Sequence, residues 1–300
     1  MRGRWRLVAA ATAAASVCSV AFAGCGTGPT AGPVEVVAGE NFWGNIAGQV
    51  GGPAVRVRSI ISDPSADPHL YESDAADAAA VGRARIVVEN GAGYDDFLTR
   101  LVAATPTSAR TVLSVQHLLG APNDANPHFW YDVSRVRTVA AGIEAALAHT
   151  DPAHAAGYQL NLTRFDQALT PLLAALSDLH QRFPGAPVAY TERLPGYLLA
   201  DAGLKVLTPA GFASAVEDGN EPSPADTAAM DDLITGHRLR VLLYNAQTTT
   251  PVTDALRRLA QRAGVAVVPV TETLPPGEPT YQAWQLAEIK AIAAGLAAQG

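Results

Sequence analysis

From residue 34 onward, short runs of β-branched and aliphatic residues alternate with longer amphipathic stretches, the pattern of strand–helix units around parallel sheets. The apolar runs predict strands at 34–37, 55–61, 85–89 and 111–115, and again at 188–191, 205–207, 241–245 and 265–270. This predicts an α/β fold with two similar lobes, 34–150 and 184–300, each a four-stranded, mainly parallel sheet flanked by helices. Between them, Leu162, Phe165, Leu169, Leu172, Leu176, Leu179 and Phe183 recur at alternating spacings of three and four. That is one apolar stripe on a helix over 151–183. Asp151 and Pro152 suit its cap and first turn. About 30 helical residues extend about 45 Å, enough for one long linker helix to run along both lobes. A kink is expected at Pro171, which lacks an N–H and crowds the turn before it.

Residues 1–24 stand outside this pattern. In "MRGRWRLVAAATAAASVCSVAFAGC" three arginines precede an apolar run, and small residues lead to Cys25, the three regions of a secretory signal in order. The following "GCGTGPTAGP" reads as a flexible tether over 25–33. The two cysteines, Cys18 and Cys25, both belong to this leader, so the body has no disulfide and no reactive thiol. Any metal there must be held by nitrogen and oxygen. Without residues 1–24 the chain carries 18 Lys and Arg against 28 Asp and Glu. Nucleic acid demands a basic face and is excluded as a partner. An acidic surface suits an extracytoplasmic protein that meets cations. No second apolar run is long enough to span a bilayer.

The candidate chemistry collects at strand ends. "SADPHLYESD" and "NDANPHFWYD" each place a histidine, His69 and His128, directly behind a proline in a polar loop. Pro-His is a common turn dipeptide, and it is also a way to stiffen a loop so that the imidazole points one way, as a metal ligand should. His69 follows the second expected strand of the first half, and His128 follows its fourth. Glu192, in "VAYTERLPGY", follows the first strand of the second half, and Glu272, in "VAVVPVTETLPPG", follows its last. All four lie beyond the C-terminal ends of parallel strands, where open α/β sheets form their ligand crevices. Two neutral imidazoles and two carboxylates together match the charge of a divalent cation held away from bulk water.

From about residue 34 to the C-terminus, the chain resembles the solute-binding lipoproteins of zinc/manganese ABC transporters, the metal-binding cluster A-I. "VVAGENFWGNIAGQVGG" is similar to that family's opening strand and helix, and "DPHLYESDAADAAAVGRARIVVENGAGYDDFL" is the most specific match. The resemblance implies that His69 and His128 are the first two metal ligands. It carries the third to Glu192, five residues before Tyr197, and the fourth to Glu272, where the family usually shows Asp before Ser. It implies an extracytoplasmic protein that captures Mn²⁺ or Zn²⁺ between its lobes as transported ligand, not as a catalytic cofactor. The partners implied are an ABC permease and its ATPase. "AFAGC" resembles the lipobox of bacterial lipoproteins, which implies lipidation of Cys25 and anchoring to the cell membrane, as a monomer; an ordinary cleaved signal is the alternative.

Glu272 is one methylene longer than the usual Asp, Thr273 replaces the Ser, and Asn245 stands near a position where the family often has Glu. The His-rich loop of many zinc-selective members is absent, His117 being the lone histidine from Gly93 to Asn126. Two His and two carboxylates favour Mn²⁺ narrowly, although Zn²⁺ binds most such sites more tightly. His154 and His180 fall on the expected linker helix as solvated positions. In "VEDGNEPSPAD", Ser223 and Pro224 read as a helix cap and first turn rather than a calcium loop. "NGAG" at Asn90–Gly93 reads as a tight strand-to-helix turn. A metal-dependent hydrolase and a surface adhesin are the competing classes. Against the hydrolase, there is no His-Glu-x-x-His, and four closing ligands leave little room for an activated water.

Overall fold

The computed structural model describes residues 1, 3, 32–63 and 71–298. The apolar run of the expected signal, the lipidation candidate Cys25 and the ligand candidate His69 lie outside the described residues. Every element below belongs to the compact unit Pro33–Gly300.

The first half runs β1 (Val34–Glu40), α1 (Asn41–Gly51), β2 (Val55–Ile61), α2 (Ala75–Arg83), β3 (Ile86–Glu89), α3 (Asp96–Ala104), β4 (Thr111–Ser114), α4 (Val115–Leu118) and α5 (Val136–Thr150). The linker follows as α6 (Ala155–Ala168) and α7 (Thr170–Arg182). The second half runs β5 (Pro187–Tyr190), α8 (Gly196–Asp201), β6 (Lys205–Val206), α9 (Ala210–Glu217), α10 (Pro224–Thr235), β7 (Val241–Asn245), α11 (Pro251–Arg262), β8 (Ala266–Val270) and α12 (Tyr281–Ala297). Each expected strand is present. The sheets have the same order, β2-β1-β3-β4 and β6-β5-β7-β8, and every pairing is parallel. In both, the order reverses between the first and third strands, so the switch point lies beyond β1 and β3 in one sheet and beyond β5 and β7 in the other.

Strand alternation explains how the two sheets share a core. Val36, Ala38, Ile86 and Val88 face inward in the first sheet, as do Val188, Val241, Leu243, Val268 and Val270 in the second. All belong to one continuous apolar cluster with α1, α5, the linker and α12. The intervening residues face outward into separate satellites: Val37 and Val87 pack under α2 and α3, and Ala189 and Leu242 under α10 and α11. The linker stripe behaves as its spacing predicts. Phe165, Leu169, Leu172, Leu176 and Leu179 are buried in the shared core, and Leu162 and Phe183 pack against it. Pro171 interrupts the rod without ending it. Leu169 keeps right-handed helical dihedrals, and its carbonyl accepts from Leu173 N at 2.9 Å.

Ser223 caps α10 by accepting from Asp226 N, with Pro224 in the first turn, as the sequence suggested. Gly91 and Gly93 take positive φ in the turn after β3. That turn is held by Asp95, whose carboxylate accepts from Asn90 N at 2.7 Å and Gly91 N at 2.8 Å. Gly39 leaves the space Asp95 occupies, since a Cβ there would stand 2.8 Å from Oδ2.

Polar bonds between the lobes crowd along one side. Asn41 and the backbone of Leu274 exchange two hydrogen bonds of 2.9 Å, and the amides of Gln49 and Gln282 pair at 3.0 Å. The Tyr281 hydroxyl donates to the Trp130 carbonyl at 2.6 Å. Glu288 of α12 is buried where it receives Thr271 N at 3.0 Å and Trp284 Nε1 at 2.9 Å. Tyr131 Oη lies 2.6 Å from Glu288 Oε2 and 2.9 Å from the Thr271 carbonyl. One hydroxyl proton serves one of these, so a proton on Glu288 is what makes both contacts hydrogen bonds.

Four buried acids have raised pKa values, each chiefly through desolvation: Glu288 and Asp95 to about 7, Glu40 well above its ordinary range, with the Asp95 charge adding to it, and Asp132. Below about pH 4 both folded and unfolded carboxyls hold their protons; between there and about 7 only the folded ones do. This contribution to stability is therefore complete in acid and is lost as pH rises through about 7. Glu288→Gln keeps a neutral group there, and we expect the melting temperature of metal-free protein to depend less on pH between about 5 and 8 than in wild type. Parallel thermal melts across that range check it; identical slopes would show that Glu288 does not titrate there.

Candidate metal centre

The second sheet builds its half of the site around one amide. Asn245 ends β7 and Glu192 stands two residues beyond β5, so the two flank the switch point. Glu272 stands two residues beyond β8. Asn245 Oδ1 accepts from Gln247 N at 3.0 Å, which turns its Nδ2 toward the carboxylates. That nitrogen donates to Glu192 Oε2 at 2.9 Å and to Glu272 Oε1 at 2.7 Å. The family departure at Asn245 thus does not remove a contact; the amide uses one hydrogen on each carboxylate. Thr248 Oγ1 adds a 3.2 Å bond to Glu272 Oε1. Gln247 Nε2 donates to Thr273 Oγ1 at 2.7 Å, which gives the substituted threonine a role in holding the loop.

The first lobe reaches this pair through Tyr94. Its hydroxyl donates to Glu272 Oε2 at 2.9 Å, and its ring meets the His128 ring edge-on at 5.8 Å between centroids. Trp130 packs on both rings. His128 opens the short 3₁₀ turn Phe129–Tyr131 and has no accessible surface, while Glu192 and Glu272 are 1% and 0% exposed. Asn126 Oδ1 lies 2.6 Å from His128 Nδ1. Asn126 Nδ2 donates to the Arg193 carbonyl at 2.8 Å, which assigns its Oδ1 as acceptor and the imidazole proton to Nδ1. Nε2 is then the lone-pair nitrogen, the form a metal ligand needs.

Of the four expected ligands, the described residues bring three, His128, Glu192 and Glu272, into one buried network joined by Tyr94 and Asn245. Among the described residues, no group of three or more His, Cys, Asp or Glu is placed so that it could hold a metal ion. His154 and His180 are exposed, on Asp151 and the Asp201 carbonyl respectively, as solvated positions should be.

The family described as "Zinc-uptake complex component A periplasmic" matches residues 36–295. The chain belongs to this family. It is accordingly a solute-binding component of a metal importer, working outside the cytoplasm. A provisionally named metal-binding protein of Treponema pallidum (strain Nichols) is 24% identical over 256 residues, 78% of each chain. The manganese-binding lipoprotein MntA of Halalkalibacterium halodurans is 28% identical over 166 residues, covering 52% of this chain and 54% of its own. The periplasmic zinc-binding protein TroA of T. pallidum shares the fold, with a TM-score of 0.76 at 20% identity over 89% of this chain and 99% of that one. No helix among the described residues is long and apolar enough to cross a membrane.

Sequence reasoning named the carboxylates and His128 but missed Tyr94, Asn126 and Gln247, which orient them. Asn126 had a local signal, its place two residues before His128; Tyr94 had none, since its partner lies 178 residues away.

Replacing Asn245 by Leu removes an amide that donates to both carboxylates. Each lost bond to a charged acceptor is worth about 1.5–3 kcal/mol, so a large fall in melting temperature is expected for metal-free protein. Added Mn²⁺ should restore more of that loss in Asn245→Leu than it adds to wild type, because a cation replaces the missing neutralisation. Melts with and without metal test this, and equal increments in the two proteins would overturn it.

Proposed function

We propose that this chain captures a single divalent transition metal with His69, His128, Glu192 and Glu272, and hands it to an ABC permease driven by its ATPase. The observation that carries this reading is the convergence of Glu192 and Glu272 on the Asn245 amide, with Tyr94 joining Glu272 to His128. Two desolvated carboxylates and an imidazole held as its Nδ1–H tautomer make an anionic, nitrogen-and-oxygen donor set. Such a set suits Mn²⁺ as the transported ion, while Zn²⁺ forms the tighter complex in simple competition. His69, which lies between β2 and α2 in the sequence, completes the set on sequence grounds. The protein is a binding protein and not an enzyme: four protein ligands close the coordination sphere against the water that metal-assisted hydrolysis requires. Lipidation of Cys25 tethers it to the outer face of the cell membrane, where it works as a monomer.

Isothermal titration of metal-stripped protein with Mn²⁺ and Zn²⁺ should give one site per chain. His69→Ala, His128→Ala, Glu192→Ala and Glu272→Ala should each weaken it by at least 100-fold while the circular dichroism spectrum is kept. Near-wild-type affinity in any variant removes that residue from the site. Saturating metal at about a thousandfold excess over Kd should add about 4 kcal/mol to unfolding. A melting temperature indifferent to metal would overturn the capture reading.

A further inference from the structure

We propose that Asn126 is a positioning residue that makes the metal-ready state of His128 depend on closure of the two lobes; the proposal rests on the reading of His128 as a metal ligand. Asn126 belongs to the first lobe and uses its side-chain amide in two directions. Oδ1 fixes His128, accepting from its backbone N at 3.2 Å and facing Nδ1 at 2.6 Å. Nδ2 crosses to the second lobe and donates to the carbonyl of Arg193 at 2.8 Å. Arg193 directly follows Glu192, so one amide ties the loop of a first-lobe ligand to the loop of a second-lobe ligand.

The receiving end is built for this contact. Arg193 is clamped by two bonds of 2.7 Å to Glu217, which holds its backbone in place. Its carbonyl also accepts from Gly196 N at 2.9 Å. A Cβ at Gly196 would stand 2.9 Å from Asn126 Nδ2, too close for any real side chain, so glycine there admits the amide. Tyr197 closes the other side, its hydroxyl donating to the Asn126 carbonyl at 2.8 Å. The α1 side of the lobe interface is held by the paired bonds from Asn41 and Gln49, and at the site the crossing hydrogen bonds come from Tyr94, Asn126 and Tyr197.

The consequence is a release device. With Nδ2 held by Arg193, the amide cannot flip, Oδ1 stays on Nδ1–H, and Nε2 keeps its lone pair toward the metal. Separating the loops frees the amide to rotate and lets the imidazole exchange tautomers or turn away. Orienting partners of this kind typically change metal affinity 10–100-fold. The same opening that moves Glu192 off the metal thereby disarms His128.

Three variants of the mature chain test this. Asn126→Ala removes both contacts. Asn126→Asp keeps an acceptor for His128 but loses the donor to Arg193. Gly196→Ala leaves Asn126 and every ligand in place and blocks the crossing. Chelator-driven Mn²⁺ release, followed by stopped flow, should speed up at least 10-fold in Asn126→Ala and Gly196→Ala, and less in Asn126→Asp, which still orients His128. In metal-free protein, ¹⁵N NMR of the His128 ring should show the Nδ1–H tautomer in wild type and in Asn126→Asp. A mixture of tautomers is expected in Asn126→Ala and Gly196→Ala. Wild-type release rates in Gly196→Ala, or an unchanged tautomer in Asn126→Ala, overturn the proposal. The tautomer measurement needs no metal. If wild-type protein binds none, the capture reading fails while the Asn126 relation to His128 is still decided.

Discussion

Two desolvated carboxylates from different strand ends repel unless something positive lies between them. Here Asn245 offers one N–H to each of Glu192 and Glu272, and its own carbonyl is used on Gln247 N so that it cannot turn away. An amide dipole eases this repulsion but brings no net charge. A divalent cation supplies what the amide cannot. The surrounding residues follow from that constraint. Gln247 and Thr248 steady the Glu272 loop, Tyr94 satisfies the outer oxygen of Glu272, and aromatic rings exclude water around His128. A binding protein built this way has its selectivity for charge before any question of ion size arises.

The lobes are not independent halves. Their inner sheet faces, the linker and α12 form one apolar cluster, and reciprocal side-chain–backbone bonds between Asn41 and Leu274 stitch its edge. Motion wide enough to separate the sheets would expose that cluster, at roughly 25 cal/mol for each Å² of apolar surface. Small rotations that part the loops at Asn126 and Arg193 expose little of it. Opening is therefore confined to the loops beyond the strand ends, where the candidate ligands His128 and Glu192 stand.

Much of the fold was legible because strand alternation and the 3-4 stripe report burial directly. The strands at 55–61 and 241–245 were read to the residue. β1 runs further than its aliphatic stretch, to Glu40, because Ala38 pairs with both Ser59 and Val88 and Glu40 pairs with Ile61, despite poor intrinsic preference. The linker helix was legible as a stripe, and its break at Leu169 followed from Pro171. The candidate ligands were legible from their place past strand ends together with the family resemblance. What orients them was not. Tyr94 meets Glu272, Tyr131 meets Glu288 and Asn126 meets Arg193 only after two lobes have packed, and no periodicity along the chain encodes a hydrogen bond across it.

The shared core also governs how the chain can be made. Export delivers the amino end first, so α1 emerges with Phe42 and Asn41 facing an interface whose other wall, with Leu274 and Trp284, arrives only after the 233 residues that separate Asn41 from Leu274. Until then α1 lacks its α12 neighbour. A half-delivered chain is thus a sticky intermediate rather than a finished first domain, and holding it apart from its neighbours until the final helix docks becomes a demand on the compartment that receives it.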